Sequence, residues 1–120
     1  MATILIIDDE ESVRALLRFA LEAAGYEVTE TANGRQGLER YRQGPTDLVI
    51  VDILMPVMNG LDMLLDLTRE FLQAKVIAIS CAGGEQNVLD VAKLLRARQA
   101  FQKPFSVPQL LRAVRYELEH

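Results

Sequence analysis

The 120-residue sequence contains one cysteine, so no internal disulfide can form and a reducing cytosol is the compartment that fits. It has no basic excess: 13 Lys and Arg stand against 17 Asp and Glu, a net charge of −4. That balance argues against direct nucleic-acid binding, which calls for a basic face. No apolar run approaches the roughly 18 residues of a membrane span. The N-terminus enters a strand directly, without the charged leader and apolar core of a signal peptide. A soluble, cytoplasmic protein that neither inserts in membranes nor binds nucleic acid is therefore expected. Repeats, low-complexity stretches and linkers are missing too, as are GxxxxGK and GxGxxG loops. The remaining composition, 50% apolar and 25% charged, is ordinary for one globular domain.

Apolar runs alternate with helix-like segments. Thr3 to Ile7 reads as a first strand. Val13, Leu16, Leu17, Ala20, Leu21 and Ala24 recur at the three- and four-residue spacing of a helix with one buried face, and Gly25 ends it. A weaker strand at Glu27 to Thr31 precedes a helix that begins at Asn33-Gly34. Gly44-Pro45 breaks the chain before the aliphatic strand leading to Asp52. Further helices are predicted after Gly60 and over Gln86 to Leu95, and further strands over Lys75 to Ile79 and Gln99 to Gln102. Ser106-Val107-Pro108-Gln109 opens a last helix with a capping pattern. Leu118-Glu119-His120 reads equally as native helix or as an affinity-tag stub, and His120 is assigned no function.

Strands alternating with helices imply a doubly wound, five-stranded parallel sheet with helices on both faces. The first, third and fourth strands are nearly continuous in aliphatic residues and suit the interior; the second and fifth are mixed and suit the edges. An order of 2-1-3-4-5 satisfies this and puts the switch point between strands 1 and 3. Asp8, Asp9 and Asp52 follow those two strands. Three converging carboxylates repel one another and require a cation or a proton. Hard oxygen donors without nearby histidine or cysteine suit Mg²⁺ or Mn²⁺ better than zinc. Ser80 and Lys103 follow the fourth and fifth strands, and an ammonium beside such a cluster offsets its charge and can bind a phosphoryl oxygen.

Asp8-Asp9, Asp52-x-x-Met55-Pro56-x-Met58-Asn59-Gly60, Ser80 and Lys103-Pro104-Phe105, in this order and spacing, resemble the receiver domain of bacterial two-component response regulators. The similarity spans the whole chain. It implies a flavodoxin-like, CheY-like domain over residues 1–120 with no output domain. Asp52 would accept a phosphoryl group from a sensor histidine kinase or histidine phosphotransfer protein. Asp9, Asp52 and the backbone carbonyl of Leu54 would hold Mg²⁺, with Asp8 acting mainly through water. Ser80 and Lys103 would engage the phosphoryl group, and the Lys103–Pro104 bond would be cis. The switching face would comprise the helix at Gln86 to Leu95, the fifth strand and the last helix, and would engage a downstream protein or output domain.

Three positions depart from the resemblance. Ala100 stands where relatives usually carry Tyr, Phe, Thr or His, and Phe101 beside it must point to the opposite face. Arg96 stands where many relatives have glycine, so it adopts a left-handed cap, or the helix ends differently, or it is an ordinary surface arginine that merely extends the helix. Cys81 stands where a small residue is usual, and reads as a small buried side chain or as a redox-sensitive group. Leu54 and Ala82 are apolar and cannot position water by hydrogen bonding, which implies slow self-dephosphorylation.

Other functions fit less well. A haloacid-dehalogenase-type phosphatase needs a second aspartate two residues after the nucleophile, where this chain has Leu54. A flavin carrier would have its phosphate repelled by Asp8-Asp9-Glu10-Glu11. A receiver-like interaction module that works without phosphorylation is the alternative reading.

Overall fold

The computed structural model describes residues 1–53, 60–80 and 96–120. The expected metal-binding carbonyl of Leu54, the residues Cys81 and Ala82, and the helix predicted over Gln86 to Leu95 lie outside the described residues.

The described elements run β1 (Thr3–Ile7), α1 (Glu11–Ala23), β2 (Glu27–Thr31), α2 (Gly34–Gln43), β3 (Leu48–Asp52), α3 (Gly60–Glu70), β4 (Val76–Ser80), β5 (Gln99–Gln102) and a last helix (Val107–Glu119). All four strand pairings are parallel and the order is β2-β1-β3-β4-β5, as the distribution of aliphatic residues implied. β3 and β4 are buried along their whole length, whereas β5 carries partly buried and exposed residues.

Alternation along the strands feeds two cores. Leu5, Ile7, Val49, Val51, Val76 and Ala78 face α2 and α3, which contribute Leu38, Tyr41, Met63, Leu64 and Leu67. Ile4, Ile6, Leu48, Ile50, Ile77 and Ile79 face α1 and the last helix, which contribute Leu17, Leu21, Leu110, Ala113 and Val114. Burying each such aliphatic side chain contributes about 1.5–3 kcal/mol. Ala100 packs against the first core and Phe101 against the second, so the aromatic side chain is a packing residue on the face opposite Ala100.

Local signals explain the boundaries. Asn33 caps α2 by accepting a hydrogen bond from Gln36 N (2.9 Å), and Ser106 caps the last helix by accepting from Gln109 N (3.3 Å). Gly25 follows α1 at φ +95°, in the left-handed region. α2 lies so close to β1 that a Cβ on Gly37 would stand 2.3 Å from Ile7 Cδ1. The buried Glu117 is tolerated on the last helix because Gln99 Nε2 donates to it (2.9 Å) and Arg98 Nη1 lies 3.5 Å away.

The boundaries differ from expectation in small ways. β4 starts at Val76 and includes Ser80, because Ser80 pairs with Gln102. Leu16 is 49% exposed, whereas Leu17 and Leu21 are fully buried. The buried stripe of α1 is narrower than its apolar pattern.

Candidate functional site

The carboxyl ends of β1, β3, β4 and β5 carry the candidate residues to one edge of the sheet. Asp52 is the last residue of β3 and is buried; Asp8 follows β1 and is equally buried. Asp8 N donates to Thr31 O (3.2 Å), and Asp8 Oδ1 accepts from Glu10 N (2.8 Å). Lys103 follows β5, and its backbone N donates to Ser80 O (2.6 Å). The Lys103–Pro104 peptide bond is cis.

The Lys103 ammonium sits among three carboxylates. Nζ lies 2.7 Å from Glu10 Oε1, 3.0 Å from Asp8 Oδ2 and 3.2 Å from Asp52 Oδ2. Burial works against the charged lysine, but Glu10, Asp8 and Asp52 outweigh it and raise its pKa well above the ordinary 10.5. For Asp8, burial is the largest influence and raises the pKa above the ordinary carboxylate value, although Glu10 N and Lys103 pull it down. Its Oδ2 is buried without a well-aligned hydrogen bond, despite the nearby ammonium.

Asp8, Asp9, Glu10 and Asp52 each offer a carboxylate oxygen within 4.8 Å of the others. One lysine does not neutralise four carboxylates. All-oxygen donors, surplus negative charge and an under-satisfied buried oxygen together fit a hard divalent cation. Ser80, 1% exposed, has a side-chain oxygen with no hydrogen-bond partner among the described residues. A buried hydroxyl in that condition costs about 1–3 kcal/mol unless a ligand completes it.

Sequence reasoning placed Asp8, Asp9, Asp52, Ser80 and Lys103 at these strand ends but missed two residues. In the sequence Glu10 shows only as charge that repels a phosphate; its position directly after the acid pair is the available signal. Arg14, one helical turn further, donates from Nη1 to Asp8 O (2.6 Å) and is held by Glu30 on β2 (3.1 Å), so it braces the acid loop.

A parallel 2-1-3-4-5 sheet with acids at its switch point and a lysine across from them defines a signalling receiver. The family model of the response regulator receiver domain matches residues 4–115. The chain belongs to the response regulator receiver domain family. It is 35% identical to the chemotaxis protein CheY of Thermotoga maritima, over 92% of each chain. It is 34% identical to sporulation initiation phosphotransferase F of Bacillus subtilis, over 93% of this chain and 90% of that one. A solved receiver domain protein from Clostridium thermocellum superposes with a TM-score of 0.92 at 27% identity, covering 99% of this chain and 95% of that one. No helix among the described residues is long and apolar enough to cross a membrane.

Proposed function

We propose that this chain is the phosphoacceptor of a two-component phosphorelay and that Asp52 takes the phosphoryl group. The observation that carries the reading is the Lys103 ammonium held 3.2 Å from the buried Asp52 carboxylate, beside the strand end that bears Ser80. The names of two relatives, a chemotaxis protein and a sporulation phosphotransferase, support it.

In this reading an Asp52 oxygen attacks the phosphorus of a phosphohistidine on a histidine kinase or phosphotransfer protein. The O–P bond forms as the P–N bond breaks, and the electron pair stays on the imidazole nitrogen. Lys103 offsets charge on the transferring oxygens and Ser80 donates to one of them. Mg²⁺, or Mn²⁺ in its place, would neutralise further charge when held by Asp9, Asp52 and the Leu54 carbonyl, with Asp8 acting through water. The chain thus catalyses its own loading and a slow self-dephosphorylation rather than turning over a separate substrate. The product carries roughly −1.5 to −2 charges and three acceptor oxygens, which bias the face that carries β5 and the last helix toward a downstream protein or output domain. Residues 1–120 act as one receiver unit in the cytoplasm.

A receiver-like module that works without phosphorylation is the second reading, favoured by Ala100 on β5 and by the strained backbone of Arg96, φ +79°. Acetyl phosphate or a phosphorylated histidine kinase in millimolar Mg²⁺ separates the two. Transfer to wild type but not to Asp52→Asn supports the phosphoacceptor; no transfer from any donor supports the module.

A further inference from the structure

Lys103 makes its shortest contact with Glu10, at 2.7 Å, and not with Asp52 at 3.2 Å. Glu10 occupies the N-cap position of α1, yet its side chain makes no capping bond. Glutamate is a poor cap, and its longer arm is turned instead onto a lysine 93 residues away. The three lysine partners also differ in setting. Asp8 and Asp52 are buried, while the Glu10 side chain is 47% exposed. Of the three, Glu10 is the one whose carboxylate regains water on release, so its hold is the weakest to break.

We propose that Glu10 is a latch on Lys103: it draws the ammonium toward the mouth of the site, and capture of a phosphoryl group at Asp52 requires this ion pair to open. The inference rests on the phosphoacceptor reading. An arriving phosphoryl group offers Lys103 stronger acceptors than a single exposed carboxylate. Glu10 therefore slows loading and weakens the hold on any phosphoryl-like ligand. The same charge also repels anionic donors, and substitutions separate the two effects. Glu10→Gln removes charge and latch together. Glu10→Asp keeps the charge but shortens the arm by one methylene, and aspartate, a preferred N-cap, turns to the helix instead.

The test measures initial rates of Asp52 acylation by acetyl phosphate in millimolar Mg²⁺, by intact-protein and peptide mass spectrometry. Beryllofluoride binding, followed by ¹⁹F NMR, gives a readout independent of transfer. The latch predicts that both variants load at least about threefold faster than wild type and bind beryllofluoride more tightly, the scale of a partly exposed ion pair. If Glu10→Asp matches wild type while Glu10→Gln is faster, charge alone acts and the latch is overturned. Equal rates and affinities in all three proteins also overturn it, leaving the phosphoacceptor reading intact. Absence of loading and binding in all three removes the phosphoacceptor reading and the latch with it.

Discussion

Lys103 Nζ stands 3.2 Å from Asp52 Oδ2, joining the ends of β5 and β3 across the intervening β4. The contact places an ammonium against a carboxylate that is cut off from water, in a cluster with surplus negative charge. Lys103→Met leaves Asp8 and Asp52 buried without that cation. The variant is expected to lose about 2–4 kcal/mol at neutral pH. Millimolar Mg²⁺ should raise its melting temperature more than that of wild type, because the cation binds the folded site and has more charge to neutralise there. Circular dichroism melts with and without Mg²⁺ check this; a melting temperature indifferent to Mg²⁺ in both proteins contradicts it.

Glu30 provides a pH prediction away from the acid cluster. Its pKa is lowered from 4.5, first by the hydrogen bond from Arg18; burial opposes this, and the hydrogen bond from Arg14 adds to the lowering. A depressed carboxylate contributes stability that is present above its unfolded pKa and lost as pH falls through its folded value. Wild type should exceed Glu30→Gln by up to about 1 kcal/mol at pH 7. That difference should shrink as pH falls below 4.5. Urea denaturation across the acid range measures it; a gap that widens in acid is the contrary result.

Gly37 lets α2 approach β1. A Cβ there would meet Ile7 Cδ1 at 2.3 Å and Cγ1 at 2.7 Å. Gly37→Ala is expected to destabilise by roughly 1–3 kcal/mol through overpacking. Ile7→Val, which removes Cδ1, should recover part of the loss in the double variant. Additive losses in a double-mutant cycle would count against the contact.

Arg96 holds a left-handed backbone at φ +79° on an exposed residue. A side chain there costs about 1 kcal/mol that glycine does not. Arg96→Gly should therefore raise stability by about that amount in denaturant melts, and an unchanged or lower midpoint would refute it.

The sheet was legible because burial on both faces leaves a plain mark. Leu48-Val49-Ile50-Val51 has no polar interruption, and its place in the centre follows. Asp8, Asp52, Ser80 and Lys103 were legible because a residue at or just past the end of a parallel strand has one place to go, the sheet's carboxyl edge. Glu10 was not, because its partner lies 93 residues away and an exposed acid carries no burial signal. Arg14 escaped notice for a similar reason: it donates to a backbone carbonyl, which sequence pattern does not register. Leu16 misled, since periodicity gives the direction of a buried stripe but not its width.

The most direct measurement of the central claim is peptide mapping of the acyl phosphate after transfer from a phosphorylated histidine kinase in Mg²⁺. The account predicts one phosphoryl group per chain, on Asp52, lost on substitution to asparagine and formed far more slowly in Lys103→Met. Stable phosphate on another residue, or none on a folded chain from any donor, would contradict it.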